Sequence, residues 1–235
     1  MGSDFRNKFG QEMEINNLRN QVIHSLELLD AIVEINKEMF RAGLITPTGG
    51  NISARLSSKP NEIWITPSQV YKGDLNTSMM VPIDIDGNLL NGYDFRPSSE
   101  RFVHCEILRR RTDINAVIHT HAPEAALMDL LDEAFMPISR DAALIGEIPR
   151  TPFIMPGTRE LGIQVATAFG NGFAVIMKNH GLIVGGKDLR QAADITFVIE
   201  ETAKKILRSR AMGKEPRILS SDALANLAKR NELVG

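Results

Sequence analysis

The sequence predicts an α/β fold in which helices cover a mixed, mainly antiparallel β-sheet. Helical and strand segments are interleaved along the 235 residues, turn-rich pieces separate the first three strand segments, and neither a fixed repeat nor a low-complexity tract is present. Short links indicate antiparallel neighbours, because parallel strands need long crossover connections. We expect one domain over residues 16–235, preceded by a flexible segment over residues 1–15.

The first elements are one long helix and three short strands. Apolar residues near helical spacing predict a packing helix over residues 16–42 that ends at Gly43. Alternating and β-branched runs predict strands at residues 50–56, 62–66 and 79–84. Asp and Asn next to Gly mark the turns after the third strand.

The later elements alternate between helices and strands. The predicted segments are a helix from Ser98 to Arg111, a strand at 115–120, helices at 122–132 and 157–169, strands at 173–177 and 182–186, a long helix at about 188–212 and a short helix near 221–230. Helices therefore recur between the strands, as in a layered α/β domain.

Composition excludes several classes of protein. The hydrophobic fraction is 43%, no apolar tract is long enough to cross a membrane, and the formal net charge is −2 with Lys and Arg scattered. We therefore predict no nucleic-acid partner and no membrane partner. The single Cys105 excludes an internal disulfide, and residues 1–15 lack the apolar core of a signal peptide, so we expect a cytoplasmic protein.

Three of the five histidines occur at the ends of predicted strands. His119 and His121 close one apolar run, and His180 follows another. Side chains alternate along a strand, so His119 and His121 point the same way, roughly 7 Å apart along the backbone. Both can then reach one ion with bonds of about 2.0–2.1 Å. With Glu100 as an available acid, the set predicts a divalent metal site, although any one histidine could be an ordinary hydrogen-bonded residue.

The residue types of this set bear on the metal. Three imidazoles and a carboxylate without a thiolate suit zinc, and manganese or iron could also occupy such a site. The other two histidines, His24 and His104, lie inside predicted helices and are expected to be packing or surface residues.

Three segments predict binding of an anionic substrate. In residues 49–51, glycines let backbone amides approach a ligand and Asn51 adds a donor. Residues 66–68 end a strand with two hydroxyls, and residues 98–100 open a helix whose free N–H groups suit a phosphate. Each could instead be structural: a C-cap glycine turn, a Thr-Pro turn and an N-cap serine.

Together these motifs resemble the zinc-dependent class II aldolase and adducin-head family. The ordered set is specific, although each motif alone is weak, and the resemblance spans about residues 20–210. It rests on Gly50-Asn51, Ile65-Thr66-Pro67-Ser68, Ser98-Ser99-Glu100, His119-x-His121, Gly157-Thr158-Arg159-Glu160-Leu161 and Asn179-His180-Gly181.

The resemblance implies a fold and a role for each site residue. The implied fold is a three-layer α/β/α arrangement around a mainly antiparallel sheet, in a homotetramer with sites at subunit interfaces. His119, His121, His180 and Glu100 would be the metal ligands, and Glu100 would also be the catalytic acid and base once substrate displaces it. The substrate phosphate would lie among Gly50, Asn51, Ser68, Ser98 and Ser99.

The implied activity is that of a zinc-dependent aldolase, a carbon–carbon lyase of carbohydrate metabolism. It would cleave a small phosphorylated ketose to dihydroxyacetone phosphate and an aldehyde through an enediolate. A metal stabilises such a charge as a Lewis acid, and proton transfer by Glu100 would contribute about 10²–10⁴-fold. The resemblance implies a Ser-Ser-Asp pattern in the epimerases of the family, whereas this chain has Glu100 after the two serines. This difference favours the aldolase branch.

Some departures from the family pattern bear on the reaction. Family aldolases use one tyrosine after the His-x-His strand and another near the C-terminus, whereas Tyr71 and Tyr93 lie at neither place. Arg140 and Asp141 are candidate substitutes, and Arg140 could equally clamp a carboxylate. Gln69 stands where a glycine often follows the phosphate-binding hydroxyl.

Other functions therefore stay open. One alternative is a decarboxylase, dehydratase or epimerase that acts on a sugar phosphate or oxo-acid at the same metal site. A more remote one is a non-catalytic, adducin-like interaction module, which would lack the metal ligands. Carbon dioxide release without dihydroxyacetone phosphate would identify a decarboxylase, and metal analysis would identify the interaction module.

Overall fold

A computed structural model describes residues 23–90 and 92–232 of the chain, so the prediction for residues 1–15 lies outside the described residues. Within them, the first helix, α1, runs over residues 23–41. Ile32 and Met39 on its inner face are fully buried. Gly43 follows the helix with a φ of 73°, and the Leu44 N–H donates to the Met39 carbonyl at 3.0 Å. The predicted end of this helix near Gly43 is confirmed. A glycine in the left-handed region is a common helix end.

Seven strands form one sheet in the order β3-β2-β1-β4-β7-β6-β5. Only β5 and β6 pair in parallel, so the predicted mainly antiparallel sheet is confirmed. The strands are β1 (Asn51–Ala54), β2 (Glu62–Ile65), β3 (Val81–Asp84), β4 (Ala116–Thr120), β5 (Arg150–Thr151), β6 (Ala174–Met177) and β7 (Gly181–Gly186).

Six further helices follow in the described chain. They are α2 (Arg101–Arg110), α3 (Pro123–Leu130), α4 (Arg140–Ile145), α5 (Arg159–Phe169), α6 (Leu189–Ala211) and α7 (Ser221–Glu232). The sequence did not predict α4 or β5, because elements of six and two residues are too short for a periodic pattern. The other predicted elements are present with ends shifted by a few residues, and the predicted start of the first helix, over residues 16–22, lies outside the described residues.

The two faces of the sheet bury different cores, and the three-layer α/β/α prediction is confirmed. On one face, Ile52, Ile118 and Val184 pack with α1 and α6. On the other, Val117 and Ile183 pack with α2 and α5. Neighbouring residues of β4 enter opposite cores, as alternation along a strand requires.

Strand β4 lies in the middle of the sheet and ends beside the candidate site. Asn51 of β1 pairs with His119 on one side, and Ile183 of β7 pairs with it on the other. His119 is thus held by two neighbouring strands and is fully buried. None of the helices in the described ranges is both long and apolar enough to span a membrane.

Candidate metal centre

Three imidazoles and one carboxylate converge at the end of β4. The Nε2 atoms of His119 and His121 lie 3.1 Å apart. Glu100, at the start of α2, places Oε2 3.2 Å from His119 Nε2 and Oε1 2.9 Å from His180 Nε2. One nitrogen from each histidine lies within 4.8 Å of the others. The structure therefore brings together the four residues predicted to hold a metal.

These separations fit a four-coordinate ion. A tetrahedron with bonds of about 2.0–2.1 Å has edges of roughly 3.3 Å, close to the three ligand-to-ligand distances above. A thiolate does not contribute, since the buried Cys105 lies elsewhere, with its sulfur 3.8 Å from the carbonyl oxygen of Asp84. The donor set suits zinc and is open to manganese or iron.

The electrostatics of the site favour a cation. Burial raises the pKa of Glu100, but His119, His180 and the hydrogen bond from Asn51 together hold that pKa well below its usual range. Burial lowers the pKa of His119 to about 4, and the attraction of Glu100 opposes this only in part. Burial likewise lowers the pKa of His121. At neutral pH the ionised Glu100 thus lies with neutral His119 and His121, the protonation state that metal ligands need.

The ring of His119 is fixed by the backbone. Its Nδ1 lies 3.1 Å from the carbonyl oxygen of Leu182 and therefore carries the proton that is donated to it. Nε2 is then left with a lone pair that points into the cluster. Gly181 allows this close packing, because a Cβ there would lie 2.4 Å from the Thr120 carbonyl oxygen and 2.9 Å from the His119 ring.

A buried polar chain holds Glu100 from behind. The Asn51 side-chain N–H donates to Glu100 Oε2 at 2.7 Å. The Asn51 side-chain oxygen therefore faces His104 and accepts a hydrogen bond from the Nε2–H. His104 Nδ1 then accepts the hydroxyl proton of Ser53 at 2.7 Å. Burial lowers the pKa of His104 to about 3, so the ring is neutral and this single tautomer satisfies every partner.

His180 comes from a different kind of support, a short hairpin turn. It lies between β6 and β7, and its N–H donates to the Met177 carbonyl at 3.1 Å. Asn179 adopts a φ of 56°, a left-handed conformation that Asn tolerates better than most residues. The Asn179 N–H donates to Asp129 Oδ2 of α3 at 2.9 Å. A side chain from another element thus holds the turn that presents His180.

The segments predicted to bind phosphate lie next to each other beside Glu100. The Ser98 N–H donates to the Thr66 carbonyl at 3.2 Å, and the Ser68 N–H donates to the Arg96 carbonyl at 2.9 Å. Ser98 is buried, with its hydroxyl accepting the Glu100 N–H at 3.3 Å, whereas Ser99 is exposed. The helix N-cap is Glu100 rather than a serine.

One of the two predicted hydroxyls is occupied structurally, and one glycine is required. Thr66 is fully buried and its hydroxyl accepts the Ile52 N–H at 3.2 Å, which leaves Ser68 as the hydroxyl available to a ligand. Gly50 has a φ of 82°, and a Cβ there would lie 2.4 Å from the side chain of Ile45. Its backbone therefore needs a residue without a side chain.

Other candidates from the sequence lie apart from the cluster. Tyr71 packs against Phe40 and Tyr93 against Trp64, with ring centroids 5.5 and 5.7 Å apart. Arg140 and Asp141 form an exposed ion pair at 3.1 Å. That pair lines a cavity between α4 and α6 that none of the three histidines enters.

Sequence reasoning missed three polar residues around the site. Lys72 is almost fully buried, and its ammonium donates to the Pro67 carbonyl at 3.2 Å, next to Ser68. Burial lowers the pKa of Lys72 to about 8, while Glu100 raises it. Asp129 and His104 are the other two. No local pattern in the sequence marks these residues, since the contacts of His104 and Asp129 join positions about fifty residues apart.

Comparison with known proteins adds the family context. Residues 30–207 match the class II aldolase and adducin N-terminal domain. The chain is 32% identical over 207 residues to a 5-deoxy-D-ribulose 1-phosphate aldolase of Bacillus thuringiensis serovar kurstaki, which covers 88% of this chain and 96% of the relative. It is 28% identical over 211 residues to a 3-oxo-tetronate 4-phosphate decarboxylase of Haemophilus influenzae, covering 86% and 97%. A solved L-fuculose 1-phosphate aldolase superposes with a TM-score of 0.80 at 28% identity, covering 88% and 96%.

Proposed function

We propose that this chain, which belongs to the class II aldolase and adducin family, is a metal-dependent aldolase. It cleaves a small phosphorylated ketose to dihydroxyacetone phosphate and an aldehyde. The observation that carries the proposal is the convergence of three imidazole nitrogens with an ionised carboxylate. Membership of the family supports a lyase. That the bond cleaved is a carbon–carbon bond of a phosphorylated ketose is what we propose.

The histidines would hold the ion and Glu100 would complete its coordination before substrate binds. His119, His121 and His180 each direct one nitrogen to the same point. When bound, zinc or a similar divalent ion supplies a Lewis acid that stabilises negative charge developing on the ketone half of the substrate. The neutral state of the buried imidazoles keeps their lone pairs free for this purpose.

Glu100 would accept and return the proton of the substrate hydroxyl. Its pKa lies well below the usual range while it contacts His119 and His180, so it is ionised at neutral pH, and it would act as a base once substrate separates it from them. Asn51 keeps one carboxylate oxygen oriented through its 2.7 Å hydrogen bond. Such a positioned group contributes about 10²–10⁴-fold to rate.

The substrate phosphate would be bound by neutral donors and by the start of α2. The residues we assign to it are Gly50, Asn51, Ser68, Ser98 and Ser99. Hydroxyls and backbone N–H groups at a helix N-terminus bind phosphate well. We further expect a homotetramer with sites at subunit interfaces, as the family resemblance implies, and a cytoplasmic location, as the composition predicts.

Decarboxylation of a phosphorylated oxo-acid is the second candidate. A relative named as a decarboxylase matches 86% of the chain, nearly as much as the aldolase relative. The ring contacts of Tyr71 and Tyr93 are with Phe40 and Trp64 rather than with the histidine cluster. Loss of carbon dioxide needs no base on a hydroxyl, so it makes smaller demands on proton transfer than aldol cleavage does.

Product analysis tests the proposal. The metal-loaded protein is incubated with dihydroxyacetone phosphate and a series of aldehydes, and separately with phosphorylated ketoses and phosphorylated oxo-acids. We expect aldol products, and a fall in turnover of about 10²–10⁴-fold for Glu100→Gln. His180→Ala is expected to lose activity together with its metal.

Each other result has a distinct meaning. Release of carbon dioxide without dihydroxyacetone phosphate would replace the aldolase with a decarboxylase. Full turnover in both variants would overturn the site assignment. A protein that neither binds metal nor turns over any substrate would correspond to the adducin-like interaction module.

A further inference from the structure

A small cavity lies against His180 on the side away from Glu100. Its volume is about 190 Å³, and Asp129, Asn179 and His180 contribute its polar lining. Neither Glu100 nor the other two histidines line it. Since His180 directs Nε2 at Glu100, its second ring nitrogen, Nδ1, points away from Glu100. A space of this size accommodates several water molecules.

Two buried polar atoms at this cavity have no hydrogen-bond partner among the described residues. They are Nδ1 of His180 and Oδ1 of Asp129. Asp129 Oδ1 forms an ion pair with Arg150, but the Arg150 Nε lies 3.6 Å away, beyond hydrogen-bond distance. Buried polar atoms are nearly always paired, so a donor and an acceptor left open at one cavity call for an explanation.

The chemistry of the two atoms is complementary. An imidazole that uses the lone pair of Nε2 for a metal carries its proton on Nδ1, which is then a donor. Asp129 Oδ1 is an acceptor, and the Asp129 side chain is only 5% exposed. Metal-bound histidines commonly donate their other N–H to a carboxylate, a carbonyl or a water. His119 already follows this pattern with the Leu182 carbonyl.

Asp129 is also tied to the turn that carries His180. Its second oxygen, Oδ2, accepts the Asn179 N–H at 2.9 Å. Asp129 lies on α3, which begins two residues after His121. One carboxylate therefore connects the helix that follows His121 with the hairpin that presents His180.

We propose that Asp129 is a positioning residue for His180, which it orients through a water molecule between Oδ1 and Nδ1 while Oδ2 holds the turn. This inference rests on the proposed metal centre. Asp129 acts through His180 and touches neither metal nor substrate. Loss of such an outer partner typically weakens metal binding by about 10–100-fold.

The test compares two aspartates that share one arginine. Asp129→Asn keeps an oxygen for the Asn179 N–H but places an amide where the acceptor for His180 is needed. Asp132→Asn is the matched control: Asp132 pairs with Arg150 at 3.0 Å, but its side chain is 84% exposed and does not line the cavity. Zinc affinity of the metal-free proteins is measured by competition with a chromophoric chelator.

We expect Asp129→Asn to bind zinc about 10–100-fold more weakly than the unaltered protein, and Asp132→Asn to stay within about twofold. We also expect the visible absorption spectrum of the cobalt-loaded protein to change in Asp129→Asn alone, because the spectrum reports the orientation of the ligands. If Asp129→Asn does not fold, Asp129→Ser is measured in the same way.

Two results would overturn the inference. Equal zinc affinity in Asp129→Asn and the unaltered protein would remove Asp129 from the metal centre and leave the proposed function intact. Equal weakening in Asp132→Asn would assign the effect to Arg150 instead. An unaltered protein that binds no zinc would overturn the metal centre itself, together with this inference.

Discussion

The two stretches that carry the histidines are built differently. His119 lies inside the central strand, is fully buried, and has its ring fixed by a backbone carbonyl. His180 lies on a three-residue hairpin turn, next to a left-handed Asn179, and its Nδ1 has no partner among the described residues. The sheet positions one candidate ligand, and the turn that carries the other is held by the Asp129 side chain of α3.

This difference shows how a metal site can combine rigid and adjustable support. A ligand on a strand is held by ladder hydrogen bonds that the fold needs anyway. A ligand on a turn needs dedicated outer contacts, and those contacts are where affinity can be tuned. We therefore expect substitutions in β4 to lower stability and metal binding together, and substitutions in the hairpin that carries His180 to lower stability less than they lower metal binding.

The largest effect is expected from His119→Ala. It should abolish tight metal binding and also lower the free energy of unfolding of the metal-free protein by about 2–4 kcal/mol, because it leaves a cavity and an unpaired carbonyl. His180→Ala should weaken metal binding as well, but lower stability by only about 1 kcal/mol or less. Urea unfolding and metal analysis measure both quantities. Equal losses of stability in His119→Ala and His180→Ala would contradict the proposed difference in how the two residues are supported.

The buried His104 of α2 predicts that the free energy of unfolding depends on pH. Its pKa is about 3 in the fold and about 6.5 when unfolded, so the unfolded chain binds more protons between these values. Stability should then fall as pH drops from 6.5 towards 3, by up to about 1.4 kcal/mol per pH unit from this group. In the metal-free protein, His104→Gln should reduce the measured slope near pH 5 by that amount. An unchanged slope would show that His104 is protonated in the fold.

Lys72 predicts a pH dependence of stability in the alkaline range. Its pKa is about 8 in the fold and about 10.5 when unfolded, so stability from this group should rise between pH 8 and 10.5. Lys72→Met should remove that rise, which amounts to about 3 kcal/mol in total. Unfolding measured at pH 7.5 and 9.5 for both proteins gives the comparison. Parallel pH curves would mean that the ammonium is better solvated than its burial indicates.

The smallest effect is expected at the hairpin turn itself. Asn179→Gly should change stability by less than about 0.5 kcal/mol, because glycine also adopts a positive φ readily. Asn179→Val should cost about 1–2 kcal/mol, since a β-branched residue resists this conformation. Thermal unfolding and zinc affinity distinguish the two variants. A well-tolerated valine would show that the turn can present His180 in another backbone conformation.

The sequence predicted which candidate ligands lie together better than it predicted the residues that support them. Alternation along β4 placed His119 and His121 on one side, and the runs flanking His180 indicated a turn between strands. These are local patterns, in which residues a few positions apart share one element. The order of such elements indicated helices that cover a mainly antiparallel sheet, and the family resemblance implied the three-layer arrangement.

Supporting residues could not be predicted in the same way. His104 was expected to be a packing or surface residue, yet it is buried and hydrogen-bonded to Asn51. Asp129 contacts a turn fifty residues away. Periodicity shows which face of a helix is buried, but it does not show which polar group lies opposite. Similarly, β5 has only two residues, and its existence depends on pairing with β6.

X-ray absorption spectroscopy of the zinc-loaded protein tests the central assignment most directly. The structure predicts nitrogen and oxygen ligands at about 2.0–2.1 Å, with outer-shell scattering from three imidazole rings. In His119→Ala the zinc-bound imidazole signal should be lost or reduced. A spectrum with fewer than three imidazoles in the unaltered protein, or one that His119→Ala leaves unchanged, would contradict the metal centre on which the proposed chemistry depends.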